Sequence, residues 1–119
     1  MAKITDAALN NILDFLETQI SHVGIGTGSA PTGTDTSLAS ETERKLATKF
    51  LDDNTLVVEG FWDVSEANSV TYSNAGTFGN GATGTVGTGE LFAGGEIDVE
   101  KINTETLTVT FEITVEEGV

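Results

Sequence analysis

Residues 106 to 115 read TLTVTFEITV, and this stretch decides the fold class because its side chains alternate without interruption. In an extended chain, successive side chains point to opposite faces. One face carries only apolar side chains: Leu107, Val109, Phe111, Ile113 and Val115. The pattern predicts a β-strand with one face in a hydrophobic core and the other in water.

The residues before this strand contain further extended runs that are separated by glycine-rich or acidic turns. We predict a hairpin over residues 45 to 64, TLVVEGFWDV being its second strand and Asp52-Asp53-Asn54 its turn. Further strands are predicted at residues 22 to 26, 69 to 78, 90 to 92 and about 96 to 101, the one at 69 to 78 being weaker. Residues 40 to 51 have two interpretations. Ser40 and Glu43 suit a capping box on a short helical turn, whereas 46 to 51 suits a strand.

Residues 5 to 20 have the pattern of an amphipathic helix. Thr5 is suited to the N-cap, and Asp6 to the positive end of the helix dipole. Apolar residues follow helical spacing along one stripe: Leu9, Ile12, Leu13, Leu16 and Ile20. This stripe must be buried, either against the protein's own sheet or against a neighbouring subunit.

These elements predict a mainly β protein: a compact antiparallel β-sandwich or barrel with one N-terminal amphipathic helix. We expect a single domain over residues 1–119, since the length suits one modest core. The helix would span 5–20 and the β-rich body 22–119. The Gly/Thr tract at about 79–89 has almost no apolar residues, so we expect a loop that is mobile or held only by a partner.

The charge is strongly acidic, with 19 acids against five bases and a formal net charge of −14. Such a surface repels nucleic acid, because DNA and RNA binding requires Lys and Arg at the phosphates. It is compatible with an ordinary acidic protein. The scarcity of lysine favours adaptation to molar salt, where the Debye length falls to ~3 Å and carboxylates barely repel one another.

The chain contains no cysteine, so it can form neither a disulfide nor a thiolate metal site. Asn10, Asn11 and Asp14 interrupt the N-terminal apolar residues, and no apolar run approaches the length of a membrane span. We therefore expect a soluble protein without a cleaved signal peptide.

The glycines of HVGIGTGSAPTG (22 to 33) suggest a phosphate-binding loop, but their spacing does not fit one. Gly28 and Gly33 have Walker-type spacing, yet Thr34 stands where the phosphate-binding lysine is needed. The dinucleotide fingerprint fails at Ser29, where its third glycine is required. We predict that these glycines let the chain bend away from a strand.

Catalytic and metal-binding candidates are weak, and we predict no catalytic, cofactor or metal residues. The only histidine, His22, lies on a predicted strand without a nucleophile motif, which favours a core or interface position. The pairs Asp52/Asp53 and Glu116/Glu117 are typical of solvated acids in an acidic chain. Residues 93 to 100, AGGEIDVE, resemble one calcium-binding repeat, but such repeats function by stacking.

Residues across most of the chain resemble small virion proteins of tailed viruses, of the tail-fibre-like or capsid-surface type. The similarity runs from the helix through HVGIGTG (22 to 28). It continues in a set of separate positions and short motifs: Pro31, Asp35-Thr36, Leu38, Glu41, Arg44, SEAN at 65 to 68, Leu91-Phe92 and TLTVTFEITV. The glycine-rich stretch 74 to 89 departs from the pattern.

The resemblance implies a non-enzymatic structural protein in a virion, with a halophilic archaeon as host given the acidity. It would form a symmetric homo-oligomer on the particle exterior, as capsid decoration or a turret. Other virion proteins and a host surface receptor would be its partners, with no nucleic acid and no membrane insertion. A tail-fibre or baseplate component is the alternative, and a small carbohydrate- or calcium-binding module is the alternative of another class. Within the resemblance, Asp35, Glu41 and Arg44 would anchor the connector between strands.

Overall fold

The computed structural model describes residues 2–116, which form one helix and seven strands. In chain order they are α1 (Asp6–Gln19), β1 (His22–Gly26), β2 (Glu41–Leu46), β3 (Thr48–Asp52), β4 (Thr55–Trp62), β5 (Val70–Gly79), β6 (Glu90–Lys101) and β7 (Leu107–Thr114). The predicted mainly β class with one N-terminal helix is confirmed.

The strands form two antiparallel sheets that pack as a sandwich. Sheet A has the order β2-β1-β5-β6, and sheet B has the order β3-β4-β7. The chain passes from sheet A to sheet B at Ala47 and again through residues 102–106. No strand ladder joins the two sheets within residues 2–116, so the arrangement is a sandwich rather than a closed barrel.

The main core lies between the sheets, and β4 contributes much of it. Leu56, Val58 and Trp62 are fully buried, because alternate residues of β4 face sheet A. On β7 the predicted alternation is confirmed, with Leu107 and Val109 buried and the intervening threonines exposed. Each fully buried side chain of this kind contributes about 1.5–3 kcal/mol to folding.

Helix α1 begins at the predicted cap, since the Thr5 hydroxyl accepts a hydrogen bond from the Ala8 N–H at 3.1 Å. It packs beside β3 and β4. Only some of the residues in the predicted apolar stripe are buried. Leu13 and Ile20 are fully buried, whereas Ile12 remains 42% exposed. The helix therefore uses its own sheet for only part of the stripe.

Three strand predictions are corrected by the structure. Residues 41–46 and 48–52 are strands of different sheets, so the helical turn at 40 to 43 is wrong. The hairpin is confirmed over β3 and β4, but it begins at Thr48. The two short strands predicted between 90 and 101 are one strand, β6, which pairs with β5 and carries two register shifts.

Seven of the ten residues of β5 are buried, although its small polar residues predicted a strand only weakly. It lies between β1 and β6 in sheet A, where small side chains allow close packing on both faces. Among residues 2–116, no helix has the length and apolar character that a membrane span requires.

Candidate functional site

The glycines of β1 make room for side chains on the outer face of sheet A, the face turned away from sheet B. The side chains of Val23 and Ile25 point into the main core, so a side chain at position 24 or 26 would point to the outer face. A Cβ on Gly24 would lie 2.8 Å from a ring carbon of Phe78, and one on Gly26 would lie 2.6 Å from the Ser40 carbonyl oxygen. The predicted bend at these two glycines is therefore wrong. They are strand residues that permit close packing.

An ion pair occupies the space above Gly24. The Arg44 Nε and Nη2 atoms donate to the two carboxylate oxygens of Glu41 at 2.7 and 2.8 Å. Both side chains are almost fully buried, with exposed fractions of 0% and 3%. Bidentate geometry of this kind offsets part of the desolvation cost of burying two charges.

A β-bulge brings these two residues to the same face of β2. Residues three apart on a regular strand point to opposite faces. Here Ile25 pairs with Glu43 and Gly26 with Glu41, so Thr42 is an extra residue in the ladder. The bulge turns the Glu41 side chain toward Arg44. The resemblance placed both residues in the connector, but their pairing depends on this irregularity.

The ion pair also binds the Gly/Thr loop, residues 80–89. The Arg44 Nη1 atom donates to the carbonyl oxygens of Thr83 and Thr88 at 3.0 and 2.9 Å and lies 3.0 Å from the Thr88 hydroxyl. The Gly87 N–H donates to Glu41 at 3.2 Å. We expected this loop to be mobile or held by a partner, but charged side chains of the same chain also bind its backbone.

The connector of residues 27–40 packs over another part of the outer face. The Asn74 side-chain amide donates to the carbonyl oxygens of Ser29 and Ala39 at 3.0 and 2.8 Å, and the Leu91 N–H donates to Thr36 at 2.9 Å. Leu38, Phe78 and Leu91 form a second, smaller core beneath it.

Asp35, the third predicted anchor, is exposed and accepts the Thr32 N–H at 2.8 Å. It therefore stabilises a local turn of the connector. Within residues 2–116, the Asp35 side chain makes no hydrogen bond to Glu41 or Arg44.

His22 lies on the same face and is 7% exposed. Its Nδ1 atom lies 2.7 Å from the Ser21 hydroxyl. Burial lowers the pKa of the imidazole below 6.5, and the nearby Arg44 charge lowers it further. The ring is therefore neutral near pH 7 and is a packed side chain, as the sequence predicted for a core histidine.

The predicted carboxylate pairs lie apart from the Glu41–Arg44 ion pair and His22. Asp52 and Asp53 are exposed at the β3–β4 turn. Glu116 is exposed, and Glu117 lies outside the described residues. The stretch 93 to 100 is a regular part of β6. Within residues 2–116, no three His, Asp or Glu side chains converge in an arrangement that could hold a metal ion.

Two polar contacts join the loop of residues 63–69 to β2 and β6, and neither was predicted from the sequence. Lys45 and Glu66 form a half-exposed ion pair, which lowers the pKa of the Glu66 carboxyl together with a hydrogen bond from the Asp63 N–H. Lys101 is 1% exposed, and its ammonium donates to the Asn68 side chain at 2.7 Å. Because each contact joins distant segments, no local motif could reveal it.

No protein-family model matches the chain, and no curated protein shows significant similarity to it.

Proposed function

We propose that this chain is a non-enzymatic structural protein of a tailed-virus virion, where it forms a symmetric homo-oligomer on the particle exterior as capsid decoration or a turret. One observation carries the proposal. The residues on which the resemblance rests serve to build the scaffold: Gly24, Gly26, Leu38, Glu41 and Arg44 hold two loops against the outer face of sheet A. A surface whose loops are held by buried contacts suits display on a particle.

The charge distribution supports a particle assembled in concentrated salt. The buried bases Arg44 and Lys101 are occupied in internal contacts, so they do not neutralise the acids at the surface. With a net charge of −14, identical subunits repel one another unless salt screens their carboxylates. A virus of a halophilic archaeon assembles and persists in concentrated salt, which would screen these carboxylates.

The proposal is tested by locating the chain in purified particles. Antibodies against the recombinant protein, conjugated to gold, should label the capsid surface of intact virions in electron micrographs. Labelling confined to the tail would instead assign the chain to a fibre or baseplate. Absence of the chain from virions by mass spectrometry would overturn the proposal.

A parallel measurement addresses the binding-module alternative. Light scattering coupled to size-exclusion chromatography in molar salt should give a mass that is a small multiple of 12.4 kDa. A monomer that binds an oligosaccharide or Ca²⁺ in calorimetry would favour the module instead.

A further inference from the structure

Strand β7 is a sheet edge that is regular along its whole length. It pairs with β4 through eight consecutive residues, from Leu107↔Trp62 to Thr114↔Thr55, without a register shift. Within residues 2–116, β4 is its only strand partner. One row of its backbone N–H and C=O groups therefore faces away from the sheet and can pair with another strand.

The other three sheet edges carry features that hinder strand addition. Four of the six residues of β2 are charged, and its ladder contains the bulge at Thr42. Strand β3 has only five residues and lies beside α1. Strand β6 has two register shifts, and acids occupy alternate positions from Glu96 to Glu100. Charges, bulges and short length are the usual protections of edge strands, and β7 has none of the three apart from Glu112.

The core is also incompletely covered beside β7. Leu107 and Val109 are buried, but Phe111, Ile113 and Val115 on the same face are only half-buried. On β6 the side chains of Ile97 and Val99 pack against the same core and are likewise half-buried. A strand added to β7 would extend sheet B over this apolar seam and remove more of its surface from water.

We propose that β7 pairs with β7 of a second copy, antiparallel about a two-fold axis, so that two sheets B join into one six-stranded sheet. A second copy fits because β7 carries a single charge, Glu112, and repulsion between acidic subunits is therefore smallest at this edge. An antiparallel pair of identical strands is also the isologous contact that two-fold symmetry requires. This interface rests on the homo-oligomer of the proposed function and identifies its contact.

The absence of cysteine allows a direct test, since a single introduced thiol reports only its own neighbourhood. Thr108→Cys, Thr110→Cys and Glu112→Cys each place a thiol on the exposed face of β7. The matched control is Thr48→Cys on β3. Thr48 is also exposed, and it pairs with Glu59 from one side as Thr110 does from the other.

Each variant is treated with a short bismaleimide in molar salt. At least one β7 variant should give a covalent dimer as its main product, whereas Thr48→Cys should remain mostly monomeric. Equal cross-linking of Thr48→Cys, or no dimer from any β7 variant, would overturn the interface.

Thr110→Lys and Thr48→Lys provide a second measurement that does not depend on cross-linking. Either lysine lies opposite Glu59, so the two variants should unfold at similar denaturant concentrations when the protein is dilute enough to be monomeric. Light scattering should show at least a tenfold weaker dimer for Thr110→Lys only, because edge lysines oppose strand pairing.

If both lysine variants still form the oligomer, the proposed β7–β7 interface is wrong, but the virion role is not affected. Absence of the chain from particles would refute the virion role whatever the fate of the edge.

Discussion

The guanidinium of Arg44 lies over the ring of Phe78, with its Cζ atom 4.0 Å from the ring centroid. This contact joins β2 to β5, while the same guanidinium binds Glu41 and the Gly/Thr loop. Cation–π contacts of desolvated arginines contribute up to about 2 kcal/mol. One side chain therefore connects two strands of sheet A to the loop above them.

Replacing this arginine should release the loop and destabilise the fold. Arg44→Met leaves the Glu41 carboxylate buried without its counter-ion, and loss of one partner of a buried pair costs about 3–5 kcal/mol. Chemical denaturation in molar salt measures the loss, and hydrogen exchange should accelerate at residues 80–89. The control is the double variant Arg44→Met/Glu41→Leu, which should be more stable than Arg44→Met alone. Unchanged exchange in the loop would contradict the role of Arg44.

Lys49 should stabilise the end of helix α1. Its ammonium donates to the carbonyl oxygens of Glu17 and Ile20, both at 2.6 Å, and the helix has no base of its own in its last turn. Lys49→Met should therefore lower the free energy of unfolding by about 1–2 kcal/mol. Lys3→Met removes the same charge from an exposed site and is the control. Equal losses of unfolding free energy in the two variants would show that removing a positive charge, and not the contact with the helix end, lowers stability.

The only histidine should make stability depend on pH as the pH falls below about 6.5. Because burial holds the pKa of His22 below 6.5, the unfolded chain takes up a proton first as the pH falls. Stability is therefore complete above pH 6.5 and declines as the pH falls toward the folded-state pKa. Urea midpoints measured across this range should fall for the parent protein and stay nearly level for His22→Gln. The same slope in both proteins would assign the effect to carboxylates.

Alternation along β7 should appear in the energetics of its side chains. Val109→Ala should cost about 2 kcal/mol because Val109 is buried, and Thr110→Ala should cost less than about 0.5 kcal/mol. Phe111 is half-buried, so Phe111→Ala should cost about 2 kcal/mol rather than the 3–5 of a fully buried ring. Denaturant unfolding measures all three. A Thr110→Ala loss as large as that of Val109→Ala would show that the register is wrong.

Salt should raise stability over a wide range. Dilution from 1 M to 0.01 M salt lengthens the Debye distance from ~3 to ~30 Å, so the 19 acids repel one another more strongly. The thermal midpoint should therefore rise with NaCl concentration. Glucose at matched osmolarity is the control for excluded-solute effects. A midpoint that does not change with NaCl would contradict adaptation to concentrated salt.

Much of the fold was predictable, because side-chain periodicity is a property of each segment alone. The alternation of β7, the Thr5 cap and the turn at Asp52-Asp53-Asn54 are all predictable from residues within a few positions of one another, although Asp52 is the last residue of β3 in the structure. The break at Ala47 was missed, since the change of sheet leaves the strand-like pattern of its neighbours intact.

The sequence by itself determined the class of the protein: strands with one apolar face, a capped helix and a strongly acidic surface. Tertiary structure alone decided that the glycines of β1 allow close packing and that Glu41 and Arg44 bind the Gly/Thr loop. The bulge at Thr42 depends on pairing with β1, and the hydrogen bonds of Arg44 reach Thr88, 44 positions along the chain. Such contacts arise when separate segments share one buried volume, and that volume exists only after the sheets have packed.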